Sequence, residues 1–213
     1  NGGDGVVLWQ GSNLYLFDSQ QLLDLGFNAA PTIIDFDDNV MAPVFTNMPD
    51  AENLWTIVNT EGLEGRGQGN ALYFGVPGSG STSASYVGAG GQVAGFASFN
   101  GLNVGVNGAV LSFDSFLQTE LLAREFDQAN VWVRHDSVNG GEWKIVATNA
   151  TGNGQIAVAN PNNPGSYTEV TINDLVRLRD PTSSSQRVAI ELGSQYAGSI
   201  DVMFVFDSVD EEE

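Results

Sequence analysis

The sequence contains no cysteine among its 213 residues. This absence excludes disulfide bonds, thiolate-bound zinc, iron–sulfur clusters and cysteine nucleophiles. Histidine occurs once, at His135, so a serine–histidine–aspartate relay would have to use that residue. No Gly-x-Ser-x-Gly elbow accompanies it. We therefore expect His135 to be a strand-end or surface residue and the protein not to be an enzyme.

Basic residues are also scarce. Seven lysines and arginines stand against 26 acidic residues, which gives a formal net charge of −19. A polyanion repels phosphate backbones and anionic lipid headgroups, so nucleic acids and membrane surfaces are not the expected partners. No run of about 18 apolar residues is present, and membrane insertion is not expected either. The acidity suits solubility in salt, and it also suits binding of Ca²⁺, which prefers oxygen ligands.

Short runs rich in valine, isoleucine and aromatic residues alternate with glycine, asparagine, serine and proline. This texture is typical of β-strands separated by turns, and many such strands predict an all-β sandwich or barrel. The predicted strands are 6–10, 14–18, 32–37, 54–59, 71–75, 92–96, 110–116, 130–135, 143–148, 168–172, 186–192 and 199–207.

The first 30 residues are interpreted as an N-terminal β-hairpin extension ahead of a sandwich domain at 31–213. The extension is strongly apolar, and a free apolar hairpin aggregates in water, so it must be covered. It either packs on its own sandwich or pairs with a neighbouring copy by strand addition. The residues predicted to take part in assembly are Val6, Val7, Leu8, Trp9, Leu14, Tyr15, Leu16 and Phe17.

The region 32–210 resembles the MAM-like and reelin-repeat-like jelly rolls of secreted and cell-surface proteins, although it lacks their usual disulfides. Three segments carry the resemblance: an acidic strand at 34–38 followed by Trp55; the stretch 70–75 followed by 110–114; and 127–133 with Trp143 and the closing strand 198–210. The resemblance implies an antiparallel jelly-roll β-sandwich that is extracellular, non-catalytic, and adhesive or self-assembling.

The resemblance also implies a shared calcium site between the first strand and the last. Its predicted ligands are Asp35, Asp37, Asp38 and Asp207, with Asp127 and Asp210 as further members. Independently, Asp35 and Asp37 are alternate residues of one strand and would share a face. Like charges gathered there repel unless a cation or a proton joins them. The alternative is a set of exposed strand-end aspartates in a very acidic protein.

Carbohydrate-binding modules stack sugars on exposed aromatic rings, but aromatic residues more often pack in a protein core. We expect Trp55 in the core, and Trp143 and Tyr86 exposed as ligand-binding candidates. Asn149-Ala150-Thr151 matches the N-glycosylation acceptor pattern.

Two functions follow as expectations. The first is a calcium-stabilised subunit of an extracellular filament or surface layer, built from identical copies through the N-terminal strands. The alternative is a carbohydrate- or protein-binding module of a larger secreted protein. A glycoside hydrolase using carboxylates such as Glu120 and Glu191 is a distant third.

Overall fold

The computed structural model describes residues 6–7, 13–18, 32–37, 41–49, 51–59, 69–75, 93–117, 119, 127–179 and 185–208. These residues are mostly β-strand, as the sequence predicts. The strands are β1 Val6–Val7, β2 Asn13–Asp18, β3 Thr32–Asp35, β4 Val44–Asn47, β5 Trp55–Asn59, β6 Asn70–Phe74, β7 Ala94–Val104, β8 Ala109–Ser115, β9 Gln128–Arg134, β10 Lys144–Thr148, β11 Gln155–Ala159, β12 Tyr167–Thr171, β13 Val176–Arg177, β14 Gln186–Leu192 and β15 Gly198–Asp207. Short 3₁₀ turns occupy Asn139–Gly141 and Ser194–Tyr196.

The strands form two principal sheets and two smaller ones. The larger principal sheet has the order β13-β10-β9-β15-β7-β4, and the smaller has the order β14-β8-β2-β3. A three-stranded sheet, β1-β6-β5, and the hairpin β11-β12 complete the described strands. The prediction of a wholly antiparallel sandwich needs correction, because β13 pairs with β10 in parallel. The jelly-roll connectivity stays a prediction.

A first core lies where the two principal sheets face each other. Its residues come from alternate positions of the six-stranded sheet, such as Val202, Phe204 and Phe206, and from the facing strands β8 and β14. Side chains of a strand point alternately to the two faces of its sheet. Apolar residues at every second position therefore give one apolar face that can be buried. Phe204 joins the sheets directly, since its ring meets Phe113 of β8 edge-on at 5.3 Å between centroids.

A second core covers the opposite face of the same six-stranded sheet. It contains the intervening residues of that sheet, including Trp132, Met203 and Val205, together with Ile156 and Val158 of the β11–β12 hairpin. The six-stranded sheet is therefore an inner layer, with the four-stranded sheet on one side and the hairpin on the other. Among the described residues no helix is long and apolar enough to cross a membrane.

The N-terminal strands pair with strands of their own chain, which is the first of the two placements left open by the sequence. β2 lies between β8 and β3 in the smaller principal sheet, and β1 pairs with β6. The expected hairpin is wrong, because β1 and β2 pair with different strands rather than with each other. Tyr15 and Leu16 have strand partners on both sides, so they cannot add main-chain pairing to a neighbouring copy, whereas Leu14 pairs only with β3 and Phe17 only with β8. Leu8 and Trp9 lie outside the described residues.

Candidate functional site

Two of the predicted calcium ligands lie at one end of the six-stranded sheet. Asp207 ends β15 opposite Gln128, and Asp127 directly precedes β9. Both residues are buried, although a charged carboxylate is rarely buried unless neighbouring groups stabilise it. Main-chain and side-chain bonds hold this end together: Ser208 and Val93 exchange two bonds of 2.9 and 3.1 Å. The structure thus brings Asp127 and Asp207 to one end of neighbouring strands.

Asp37 has a different environment. It is exposed, and its Oδ1 accepts a hydrogen bond of 2.9 Å from the backbone N–H of Asn70. The Asn70 side chain donates in turn to the carbonyl of Phe36 at 3.2 Å. Gly69 has a positive φ of 104°, and a Cβ there would lie 2.9 Å from Asp37 Oδ2. Asp37 therefore joins the end of β3 to the start of β6.

The other predicted ligands are described less fully. Asp35 belongs to β3, of which only the backbone is described at that position, and Asp38 and Asp210 lie outside the described residues. Within the described part of the chain, no three histidine, aspartate or glutamate side chains are grouped in a way that could hold a metal ion. The six-residue calcium site therefore stays a prediction.

The expectation that Trp143 is exposed is wrong. Its side chain belongs to the second core, and the residue is 7% exposed. The Arg134 guanidinium covers the ring at 4.8 Å from its centroid. The Asn162 side chain binds the backbone of Trp143. Its Oδ1 accepts from the Trp143 N–H at 2.7 Å, and its Nδ2 donates to the Trp143 carbonyl at 3.1 Å. Trp143 cannot stack on a sugar in this arrangement. Tyr86 lies outside the described residues, and Trp55 is in the core as predicted.

The glycosylation pattern falls on a buried asparagine. Asn149 is fully buried, and its Oδ1 accepts a bond of 2.9 Å from the N–H of Ala129. Its Nδ2, the atom that a glycan would modify, donates to the carbonyl of Asp127 at 3.0 Å. The Asn149 side chain thus continues the β9–β10 ladder beyond the last residue of β10.

His135 is engaged by the backbone on both ring nitrogens. Nε2 lies 3.0 Å from the carbonyl of Ala197, and Nδ1 accepts from the N–H of Ser137 at 3.2 Å. These partners fit a neutral ring that carries its proton on Nε2. Tyr196 packs edge-on against the imidazole, and burial raises the pKa of the Tyr196 hydroxyl above its ordinary value of 10.0. A proton relay through His135 would have to break one of its two backbone contacts.

The strand β4 was not among the predicted strands, although it is the most exposed apolar element described. It pairs with β7 through Val44–Asn47 and lies at the end of the six-stranded sheet. Val44 is 51% exposed and Phe45 is 41% exposed. The stretch 41–49 carries no charge, but longer uncharged stretches such as 67–113 occur in the same chain, so the sequence did not single out β4.

A second missed feature is a row of polar side chains on β9. Gln128, Asn130 and Trp132 occupy alternate positions of this strand and point together into the second core. The sequence signal was the alternation itself, since two amides occupy positions where an inner-layer strand normally carries apolar residues.

Comparison of the chain with protein-family models, curated proteins and solved structures gives no match.

Proposed function

We propose that the protein is a non-catalytic, extracellular structural or adhesive β-sandwich that associates with copies of itself through the edge strand β4. The observation that carries the proposal is the exposure of Val44 and Phe45 on an edge strand within an uncharged stretch, 41–49. The extracellular location rests on the resemblance to secreted jelly rolls and on the acidic composition.

Edge strands present unpaired N–H and C=O groups, and natural proteins usually protect them with charged side chains. β4 carries no charge, and of the described strands only β7 pairs with it. β4 has four residues and lies between Pro43 and Pro49, which restricts pairing to a short and specific contact. These features favour a selective docking edge over general aggregation.

A second copy is the occupant that best fits this edge. Two β4 strands related by a twofold axis would pair antiparallel and shield Val44 on one face of the extended sheet and Phe45 on the other. The stretch is uncharged, so its approach to an identical stretch avoids local repulsion, although each chain carries a net charge of −19. Calcium bound by the predicted aspartates would lower this overall repulsion, so we propose that association strengthens with Ca²⁺.

The test is the oligomeric state of wild type and two lysine variants over a concentration series, measured by light scattering with Ca²⁺ and after chelation. Val44→Lys places a charge on the edge, whereas Val106→Lys places one on a turn where the valine is 80% exposed. Wild type and Val106→Lys should associate, and Val44→Lys should remain monomeric. A monomeric wild type at high concentration with Ca²⁺ would refute the proposal, as would equal association of the two variants.

One exposed aromatic ring favours the alternative of a carbohydrate-binding module. Tyr167 lies on β12 and is 43% exposed, whereas Trp143 is buried. A glycan array with wild type and Tyr167→Ala tests this alternative. A hit that the variant loses would favour it, and absence of any hit would count against it.

A further inference from the structure

The polar row of β9, consisting of Gln128, Asn130 and Trp132, is almost completely shielded from solvent. Asn130 is 0% exposed, and Gln128 and Trp132 are each 2% exposed. The hairpin β11–β12 covers this face, and Gln128 Nε2 donates to the carbonyl of Ala157 on β11 at 2.9 Å. The row therefore lies between an inner sheet and a second layer.

The neighbours of Asn130 leave it little opportunity for bonds within the sheet. Across the two adjacent strands it faces Val205 of β15 and Thr148 of β10. Val205 is apolar, and the Thr148 hydroxyl oxygen already accepts the N–H of Ala150 at 3.1 Å. Trp132 is opposite Met203 and Ile145, which are both apolar.

Four polar atoms of the row have no hydrogen-bond partner among the described residues. They are Gln128 Oε1, Asn130 Oδ1, Asn130 Nδ2 and Trp132 Nε1. Buried polar side-chain atoms almost always have a partner, because each one left without a bond is strongly unfavourable. Four such atoms on alternate residues of one strand therefore indicate a bound group that completes them.

The chemistry of the four atoms selects the bound group. Two are acceptors, the amide oxygens, and two are donors, the Asn130 amide nitrogen and the indole N–H. The donors would repel a cation and the acceptors would repel an anion. A hydroxyl both donates and accepts, so it fits every atom of the row. Alternate residues of a strand are about 6.6 Å apart, a gap that one hydroxyl oxygen can bridge between two side chains.

We propose that β9 and the β11–β12 hairpin enclose a binding site for a row of hydroxyl groups. The hydroxyls belong either to water molecules held between the layers or to a saccharide that enters when the hairpin opens. The burial of the row under a paired hairpin favours water. This site is independent of β4 and of the proposed self-association.

The direct test uses nuclear Overhauser contacts of the tryptophan indole N–H protons. Trp132 Nε1–H should show a contact to long-lived water, and this signal should vanish in Trp132→Phe. Trp55 Nε1–H is the internal control, because it donates to the carbonyl of Gly95 at 2.9 Å and should show no such contact. A titration with glucose, galactose and mannose separates the two sources, since a bound sugar would replace the water contact with contacts to sugar protons. Absence of both contacts at Trp132 would overturn the proposal.

Asn130→Leu supplies a second test through the sign of its effect. If the Asn130 amide is bonded to hydroxyl groups, the variant loses those bonds and the melting temperature should fall by about 3–8 °C. A rise in melting temperature would mean that the amide had no partner to lose, and it would overturn the proposal. Trp132→Phe keeps an aromatic ring at this position while removing the indole N–H, and it remains measurable should Asn130→Leu fail to fold.

Discussion

The two faces of the six-stranded sheet are made by the same strands but differ in character. On β15, Val202, Phe204 and Phe206 enter the first core, whereas Met203 and Val205 enter the second. The first core is apolar and rich in aromatic contacts, such as Phe74 with Phe206 at 4.4 Å between ring centroids. The second contains the polar row of β9. The difference leads us to expect most of the stability from the first core, whereas the proposed hydroxyl-binding site belongs to the second.

The largest effect is expected from Phe204→Ala in the first core. Phe204 is fully buried and contacts Phe99 and Phe113 edge-on, at 6.2 and 5.3 Å between ring centroids. Truncation removes the ring that joins the two principal sheets and should lower the free energy of unfolding by about 3–5 kcal/mol. Denaturant unfolding measures this. A loss below that of the valine variants discussed below would contradict the assignment of the first core as the main source of stability.

Asn149→Leu should lower the free energy of unfolding by a smaller amount. The variant removes a buried side-chain amide that has protein partners, in contrast to the amide of Asn130. The variant leaves the Ala129 N–H and the Asp127 carbonyl without their side-chain partners. We expect a loss of about 2–4 kcal/mol in urea unfolding, because both groups are buried. A neutral result would show that the backbone finds other partners there and that Asn149 does not extend the ladder.

Val202→Ala and Val205→Ala make the comparison within one strand. Both valines are fully buried, and they face the first and second cores respectively. Each truncation removes two methyl groups, and in the first core we expect a loss of about 2–3 kcal/mol. The hairpin is a separate two-stranded sheet, so we expect it to close over the vacated space more easily than a principal sheet, and Val205→Ala should be about 1 kcal/mol less costly. Equal losses in parallel unfolding curves would remove the distinction between the cores.

The smallest effect is expected from Tyr196→Phe and appears only in alkali. Burial raises the pKa of Tyr196 in the folded state above 10.0. An acid whose folded pKa is raised contributes stability below its unfolded pKa, and this contribution is lost as the pH rises through about 10 and beyond. The wild type should therefore lose more stability than Tyr196→Phe between about pH 9 and pH 11. Identical pH profiles would show that Tyr196 does not contribute to alkaline unfolding.

Much of the strand content was predictable from local pattern, but the limits of several strands were not. The predicted strand 92–96 proved to be the start of β7, which continues to Val104. Asn100 and Gly101 resemble a turn in the sequence. However, Gly101 has a positive φ of 75°, and its N–H donates to Asp201 Oδ1 at 2.9 Å. A contact between residues one hundred positions apart maintains the strand there, and no local pattern contains that information.

Three strands were missed: the two-residue β13, and β4 and β11, which were missed for local reasons. β4 is bounded by prolines at 43 and 49, which read as loop signals, and its exposed residues lack the alternation of a half-buried strand. β11 has the short pattern QIAVA between glycine- and asparagine-rich turns. Its pairing with β12 and its position over β9 required the whole sheet to be in place.

The site predictions depended even more on tertiary structure. The aspartates were nominated from the family resemblance and from the alternate positions of Asp35 and Asp37, yet Asp37 accepts a backbone N–H and holds two strands together. Trp143 was nominated as an exposed stacking ring of a carbohydrate-binding module, but Arg134 and Asn162 enclose it. Composition shows which side chains exist, whereas burial depends on which strands become neighbours.

The sequence by itself determined the all-β class, the acidic character and the exclusion of thiol chemistry. These features follow from the pattern of short segments or from the total composition, and neither depends on which strands become neighbours. The tertiary structure decided that β2 lies inside a sheet, that one sheet is covered on both faces, and that three polar residues of β9 share a buried layer. Those outcomes depend on pairings between strands distant in the chain, and the free energy of such pairings is set by the partner strand as much as by the segment itself.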